Sequence, residues 1–485
     1  MKILFATPEC APYVKTGGLG DVSAALPATL ARLDHDVRVL MPAYRNMRVS
    51  GEVLDTIDIP QQGPFPAAQL LPVKTDNGVT LLLLACPVLY HRNGGPYVDS
   101  TGHDHYDNAL RFGFLSRLAA LLGTDASPCA DWRADVVHAN DWPCGFSPMY
   151  LAQARLGERG AAASVMTIHN IAFQGMFPMY VADLLGVPSH WRGIDGVEYW
   201  GQVSMLKAGL QFADAITTVS PTYAREIQTQ KFGVGLDGVL RARAHRLFGI
   251  LNGIDTDVWN PQTDGLIPDR YAADDLTGKA RDKAALQRRC GLADAPKAML
   301  FGVVSRLTSQ KGIDLVLHHL DQLLAQGSQL TVLGQGEPAL HDALTAAAQA
   351  RPGAVAVSFG YDESLAHLIE AGADCFLMPS RFEPCGLNQM YSQAYGTPPV
   401  VSPTGGLADS VVDANADAAN GTGFVMASCD AAGFGEALQR AVQAFRKPAQ
   451  WRRIQLNGMA RSFGWEDSAQ RYMEVYERAI VLART

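Results

Sequence analysis

Lys15-Thr16-Gly17-Gly18-Leu19-Gly20-Asp21-Val22 stands between an apolar run at residues 3–6 and an Ala/Leu-rich segment at residues 23–33. A short β-type run, a glycine-rich turn and an amphipathic segment, in that order, predict a strand feeding a helix through a tight loop. Glycines at such a place let the backbone approach a ligand closely and offer N–H groups at a helix start, and Lys15 adds a point charge suited to phosphate. A plain βα turn carrying a solvated lysine is the competing reading.

The same alternation continues outward through the chain. Strands are predicted at 3–6, 37–41, 79–85, 136–138, 165–168 and 215–219, and again at 299–304, 330–333, 354–358, 375–379 and 399–401, with amphipathic segments between them. Two series of βαβ units imply an α/β protein with two Rossmann-like domains, each on a mostly parallel sheet. The turn around Gly249-Ile250-Leu251-Asn252-Gly253 sets the boundary, giving domains 1–250 and 251–464. Residues 264–296, polar and then helical, read as the connector. Residues 465–485 read as a helix that packs back on the first domain. In open α/β sheets the loops at the carboxyl ends of the strands carry the ligand chemistry, so polar residues after each apolar run are the candidates for function.

Composition narrows the classes. With 485 residues, 48% of them hydrophobic, the chain has ample material for two cores. A net charge of −8 argues against nucleic acid or an anionic membrane as partner. Eight scattered cysteines without zinc spacing suit reduced thiols in the cytoplasm, and the first apolar run is too short for a signal peptide.

Three further stretches carry chemistry. Ser305-Arg306-Leu307-Thr308-Ser309-Gln310-Lys311-Gly312 places two cations five residues apart after a predicted strand. An Arg fork and a compact Lys charge can hold a diphosphate, although two surface cations serving solubility would look the same. Pro379-Ser380-Arg381-Phe382-Glu383-Pro384-Cys385-Gly386-Leu387 puts Glu383 in a strand-to-helix loop, outside the core. Thr404-Gly405-Gly406-Leu407 repeats the Gly pair ahead of a helix.

These stretches, together with His138-Ala139-Asn140-Asp141-Trp142, Thr167-Ile168-His169-Asn170 and Asn252-Gly253-Ile254-Asp255, are arranged in order like the bacterial glycogen and plant starch synthases. The resemblance spans nearly the whole chain. It implies the GT-B architecture, two Rossmann-like domains facing each other over a deep cleft, and transfer of glucose from ADP-glucose to the non-reducing 4-hydroxyl of an α-1,4-glucan with retention. Neither a cofactor nor a metal is implied. By the same resemblance, Lys15, Gly17, Gly18, Arg306, Lys311, Thr404, Gly405 and Gly406 meet the diphosphate, with Asp21 in support. His169, Asn170, Asn252, Glu383, Cys385, Gly386 and Leu387 meet the sugar, and Tyr361 and Tyr391 the nucleoside. Glu383, His169, Lys15 and Asp141 are the implied catalytic set. Asn388 departs from the family pattern, where threonine is usual, as does Pro403, where a basic residue is usual.

Other patterns invite different readings. Asp255-Thr256-Asp257 is a literal DxD, but it sits at a turn where Asp is favoured for local backbone bonds. His103-Asp104-His105 lies in a polar loop, and Gly334-Gln335-Gly336 lacks the third glycine of a dinucleotide fingerprint. The rivals are a GT-B transferase using a UDP- or GDP-sugar, a non-catalytic glucan-binding protein on the same scaffold, and a nicotinamide-dependent oxidoreductase.

Overall fold

The computed structural model describes residues 1–157, 160–325 and 327–484, which divide into two compact units, Met1–Asn252 with Trp465–Thr485, and Gly253–Gly464. In the first, Lys2–Ala6 is the central strand. Ile3, Leu4, Phe5 and Ala6 are all fully buried, as a parallel strand covered on both faces requires. It pairs in parallel with Asp36–Pro42 on one side and with Val136–Asn140 on the other. Beyond Asp36–Pro42 lies Thr80–Ala85; beyond Val136–Asn140 lie Ala163–Ile168, Ala215–Thr218 and Leu247–Gly249. Numbered along the chain, the first six parallel strands run 3-2-1-4-5-6 across the sheet. Strand order therefore reverses between Lys2–Ala6 and Val136–Asn140, which opens a crevice at their carboxyl ends.

Sequence reading missed the antiparallel edge. Ala68–Lys74 pairs with Thr80–Ala85 through a tight turn in which Gly78 has φ +83°, and Glu52–Val53 and Ile57–Ile59 pair with Ala68–Lys74. The pattern of 68–74 is broken by Pro72 and by polar Gln69, which hides an edge strand.

The last helix, Trp465–Leu482, belongs to this first unit. Trp465, Ala469, Tyr472, Val475, Tyr476 and Ala479 recur at helical spacing and share one core with Ile3, Phe5, Val39, Val136 and Val165. At roughly 1.5–3 kcal/mol for each large apolar side chain buried, that face suffices to hold the helix on the sheet. Tyr476 Oη also bonds to His138 Nδ1 at 2.8 Å, and Ser468 Oγ donates to the Leu251 carbonyl at 2.6 Å.

The second unit repeats the plan. Its six strands are all parallel, in the order Val355–Phe359, Gln329–Gly334, Leu300–Val304, Cys375–Met378, Pro399–Val401, Phe424–Val425. Again the order is 3-2-1-4-5-6, with the reversal between Leu300–Val304 and Cys375–Met378. Side chains alternate between two cores: Phe301, Val303, Val332, Leu377 and Val400 enter one, and Leu300, Leu333, Phe376, Met378 and Val401 the other. Helices cover both faces. Among the described residues no helix is long and apolar enough to cross a membrane.

Candidate active site

At the reversal point of the first sheet the chain leaves Val136–Asn140 through Asp141, a non-glycine residue with φ +52°. Such backbone costs about 1–3 kcal/mol and persists where its surroundings enforce it. Here the Asp141 carboxylate accepts the His169 N–H at 2.7 Å and the Asn170 N–H at 3.4 Å, and the Asp141 N–H donates to the Thr167 carbonyl. Desolvation pushes the carboxyl up to about 7 against the pull of those two N–H bonds. His169, partly exposed as a residue, has its ring desolvated enough to bring the imidazole down to about 3, so it is neutral at any ordinary pH. Its Nε2 lies 2.9 Å from Asn140 Oδ1, whose amide in turn donates to the Ala6 carbonyl. The structure thus brings Asp141, His169 and Asn170 together.

On the neighbouring strand end sits a residue that sequence reasoning missed. Glu9, 3% exposed, accepts the Thr16 N–H at 2.5 Å, the Thr16 hydroxyl at 2.9 Å, the Gly17 N–H at 3.4 Å and the Tyr97 hydroxyl at 2.9 Å. It holds the glycine loop from below. Its signal was its place as the first ionisable residue after the first strand. Gly17 caps helix Gly18–Arg32, Gly17 and Gly18 are exposed, and Lys15 Nζ pairs with Asp21 Oδ1 at 2.8 Å. A Cβ at Gly20 would press on the Lys15 side chain at 3.1 Å, so that glycine makes room for the lysine. Asn252 is 6% exposed, and its Oδ1 is buried without a hydrogen-bond partner among the described residues, an acceptor left for a hydroxyl.

At the reversal point of the second sheet, Arg306 follows Leu300–Val304 and Ser380 to Glu383 follow Cys375–Met378. Gly312, with φ +71°, lies so close to Pro379 that a Cβ would stand 2.1 Å from its carbonyl oxygen. That approach, with Arg381 N–H to the Gln310 carbonyl and Arg381 bidentate to Asp314, ties the two loops together. Lys311 Nζ consequently reaches Glu383 Oε2 at 2.5 Å, and Ser380 Oγ donates to the same oxygen. Glu383 does lie in a loop, but it is 6% exposed, which corrects the expectation that it stands outside the core: an ion pair makes its burial tolerable. Arg306 is exposed and its guanidinium has no partner among the described residues.

Gly405, with φ +44°, and Gly406 start the helix Gly405–Ser410, with Thr404 as N-cap. A Cβ on either would meet the backbone oxygen of Glu383 or Cys385, at 1.8 and 2.2 Å. These glycines seat the Glu383–Cys385 loop. The Gly406 N–H is taken by the Pro384 carbonyl at 3.1 Å, so its expected role as a diphosphate donor is corrected to a structural one. Cys385 is buried, and Gly386 and Leu387 are partly exposed on the same loop. Asn388, the departure from pattern, donates to the Val304 carbonyl at 2.6 Å and bridges the two strand ends at the reversal.

Tyr361, which follows Val355–Phe359 on the same carboxyl edge, is 80% exposed. Tyr391 is not comparable. It is 7% exposed and stacks on Trp259 at 3.8 Å and 10°, while Trp259 also stacks on His367. One face of the Tyr391 ring is taken by Trp259, so the open aromatic face expected to meet the nucleoside is that of Tyr361 rather than Tyr391.

The decoys have local explanations. Asp255 Oδ1 accepts the N–H groups of Asp257 and Val258, a turn. Gly334 and Gly336 give space to the carbonyls of Ser305 and Leu307. His105 is buried on the Gly95 carbonyl, and among the described residues no three His, Cys, Asp or Glu are grouped as metal ligands.

Residues 2–242 match the family model described as starch synthase catalytic domain, and residues 291–455 match glycosyl transferases group 1. Glycogen synthase from Paracidovorax citrulli is 60% identical over 493 residues, covering 100% of this chain and 96% of its own. The chain belongs to the glycogen and starch synthase family. Glycogen synthase from Aromatoleum aromaticum is 53% identical, over 98% of this chain and 96% of its own. Among solved structures, the catalytic domain of starch synthase IV from Arabidopsis thaliana, bound to ADP and acarbose, superimposes with TM-score 0.87 at 32% identity, covering 99% of each chain. Sucrose-phosphate synthase from Thermosynechococcus elongatus, at 18% identity and TM-score 0.60 over the full length of both, shares the fold. The fold class is GT-B, and this member of the family is a glycosyltransferase.

Proposed function

We propose that the protein transfers glucose from ADP-glucose to the non-reducing 4-hydroxyl of an α-1,4-glucan such as glycogen, with retention and without a metal, in the cytoplasm. One observation supports this most: the loops at the reversal point of the second sheet carry an unpaired Arg306 and the Lys311–Glu383 pair, with Tyr361 exposed on the same carboxyl edge. Two cations at such an edge suit a diphosphate, and an exposed aromatic face suits a purine base. The relative solved with ADP and acarbose agrees with a nucleoside diphosphate and a glucan-like ligand.

In this reading the bond from glucose C1 to the diphosphate oxygen breaks while Arg306 and Lys311 offset the charge gathering on the leaving group. The acceptor 4-oxygen bonds to C1 on the same face, and its proton passes to a diphosphate oxygen, so configuration is retained. Glu383, held by Lys311 and Ser380, positions the donor sugar through its hydroxyls. His169, neutral, and the unpartnered Asn252 oxygen offer further hydrogen bonds to sugar. The share of Lys15 in binding the same diphosphate rests on family resemblance.

Release of ADP from ADP-glucose, followed with and without glycogen in EDTA and beside UDP-glucose, tests the proposal. Glycogen-dependent ADP release in EDTA supports it. Preference for UDP-glucose replaces the donor, dependence on added metal removes the metal-free route, and no release from either sugar nucleotide leaves a non-catalytic glucan binder.

A further inference from the structure

Arg111, on helix Asn108–Leu121 of the first unit, is 1% exposed and has no carboxylate partner. Its Nε donates to the Leu89 carbonyl at 2.8 Å, and its Nη1 donates to the Pro96 carbonyl at 2.9 Å and to Asn108 Oδ1 at 2.6 Å. Its Nη2 makes no hydrogen bond among the described residues. Its guanidinium also lies over the Tyr90 and Phe112 rings, and Asp107, itself paired with Arg92, is the nearby carboxylate. A buried guanidinium held by neutral oxygens and ring faces, with no direct ion pair, favours an anion brought to it.

Arg111 lines a cavity of about 250 Å³ together with Lys15, Arg45, Arg92, Tyr13 and Tyr44, and no carboxylate lines it. The cavity is built from the loops that follow strands Lys2–Ala6, Asp36–Pro42 and Thr80–Ala85. It therefore lies on the ligand-bearing carboxyl edge of the sheet, displaced from the reversal point. Two of its four cations are already neutralised: Lys15 by Asp21, and Arg92 by Asp107 at 2.5 Å. Arg45, exposed, bonds only to the Asn93 side-chain oxygen at 2.7 Å. Two guanidinium charges, Arg45 and Arg111, remain uncompensated.

We propose that this cavity binds a small sugar phosphate through Arg45 and Arg111, at a site that borders the glycine loop at Lys15 and uses neither Arg306 nor Lys311. A phosphate monoester carries a charge of about −1.5 to −2 at neutral pH, matching the two open charges. Tyrosine faces suit the sugar ring, as aromatic surfaces suit the apolar faces of such ligands. A volume of about 250 Å³ has room for a monosaccharide phosphate.

Calorimetric titration of the full chain with ribose 5-phosphate, ribose and inorganic phosphate tests the proposal. The expected result is saturable binding of ribose 5-phosphate, weaker binding of inorganic phosphate and none of ribose. Arg45→Glu, a change at an exposed position, should weaken ribose 5-phosphate binding by about tenfold or more, one lost charge-assisted contact. Arg306→Ala should leave it unchanged. Arg111→Met should abolish it, and Arg45→Glu keeps the test open should that variant fail to fold. Absence of binding to the wild type, binding indifferent to Arg45→Glu, or binding lost in Arg306→Ala instead, would each overturn the proposal. Equal affinity for inorganic phosphate would overturn the sugar component.

Discussion

Lys311 Nζ stands 2.5 Å from Glu383 Oε2, and the two side chains are only 17% and 8% exposed. Each charge is therefore tolerated because the other is there. Lys311→Ala strands a buried carboxylate and should destabilise the second unit by about 3–5 kcal/mol, while Lys311→Met with Glu383→Gln should cost much less. Thermal unfolding of the single and double variants measures the difference. Equal losses in both would mean that the pair is not coupled.

Arg306 offers the contrast. Exposed and unpaired, it contributes little to the fold, so Arg306→Ala should leave stability within about 0.5 kcal/mol. If it meets charge on the leaving diphosphate, turnover should fall by about 10²–10³-fold. Steady-state ADP release alongside the melting temperature separates the two effects.

Glu9 acts through the glycine loop that it anchors, as a positioning residue. Glu9→Ala releases the N–H groups of Thr16 and Gly17, and misplacement of that loop should lower kcat by about 10²-fold. Glu9→Gln keeps an acceptor oxygen and should recover much of the loss. A purely structural role would show instead as a lowered melting temperature with kcat intact in the folded fraction.

Gly405→Ala would set a Cβ 1.8 Å from the Glu383 carbonyl at a backbone φ of +44°. The clash and the strain together should cost about 2 kcal/mol or more and lower the melting temperature by about 5 °C. Gly17→Ala is the control, since a Cβ there meets nothing within 4 Å.

Acid sensitivity follows from two histidines. His138, fully buried between Tyr476 and Thr167, and His169 are both brought down to about 3 by desolvation, whereas in the unfolded chain each titrates near 6.5. Between about pH 6.5 and 3 the unfolded chain binds two more protons at these sites, so stability falls as pH falls. Asp141, raised to about 7, opposes this, because between pH 7 and about 3.9 the folded chain holds the extra proton. The net of one proton predicts a loss of about 1.4 kcal/mol per pH unit from these three groups. Urea unfolding at pH 7, 6 and 5 measures the slope, and His138→Gln should lower it by about 1.4 kcal/mol per pH unit relative to the wild type.

The central parallel strands of both sheets were legible because they are apolar runs ending at polar or glycine residues, whereas the short edge strands Leu247–Gly249 and Phe424–Val425 were not; the same punctuation located the KTGGLGDV, Arg306 and Glu383 loops. What stayed hidden was long-range. No spacing relates Glu9 to Thr16, Asn388 to the Val304 carbonyl, or Gly405 to the oxygen that forbids its side chain. Tyr391 was misread for a similar reason: the indole that covers it, Trp259, is 132 residues away, and only folding brings the two rings together. Edge strand Ala68–Lys74 was lost because pairing on one side frees its proline and polar residues from the pattern of a central strand.

Turnover of Glu383→Gln, measured as glycogen-dependent ADP release from ADP-glucose beside the wild type, tests the proposed site most directly. A fall of about 10²-fold or more in kcat, with the variant folded and still binding ADP, is predicted. A folded Glu383→Gln enzyme with wild-type turnover would contradict it.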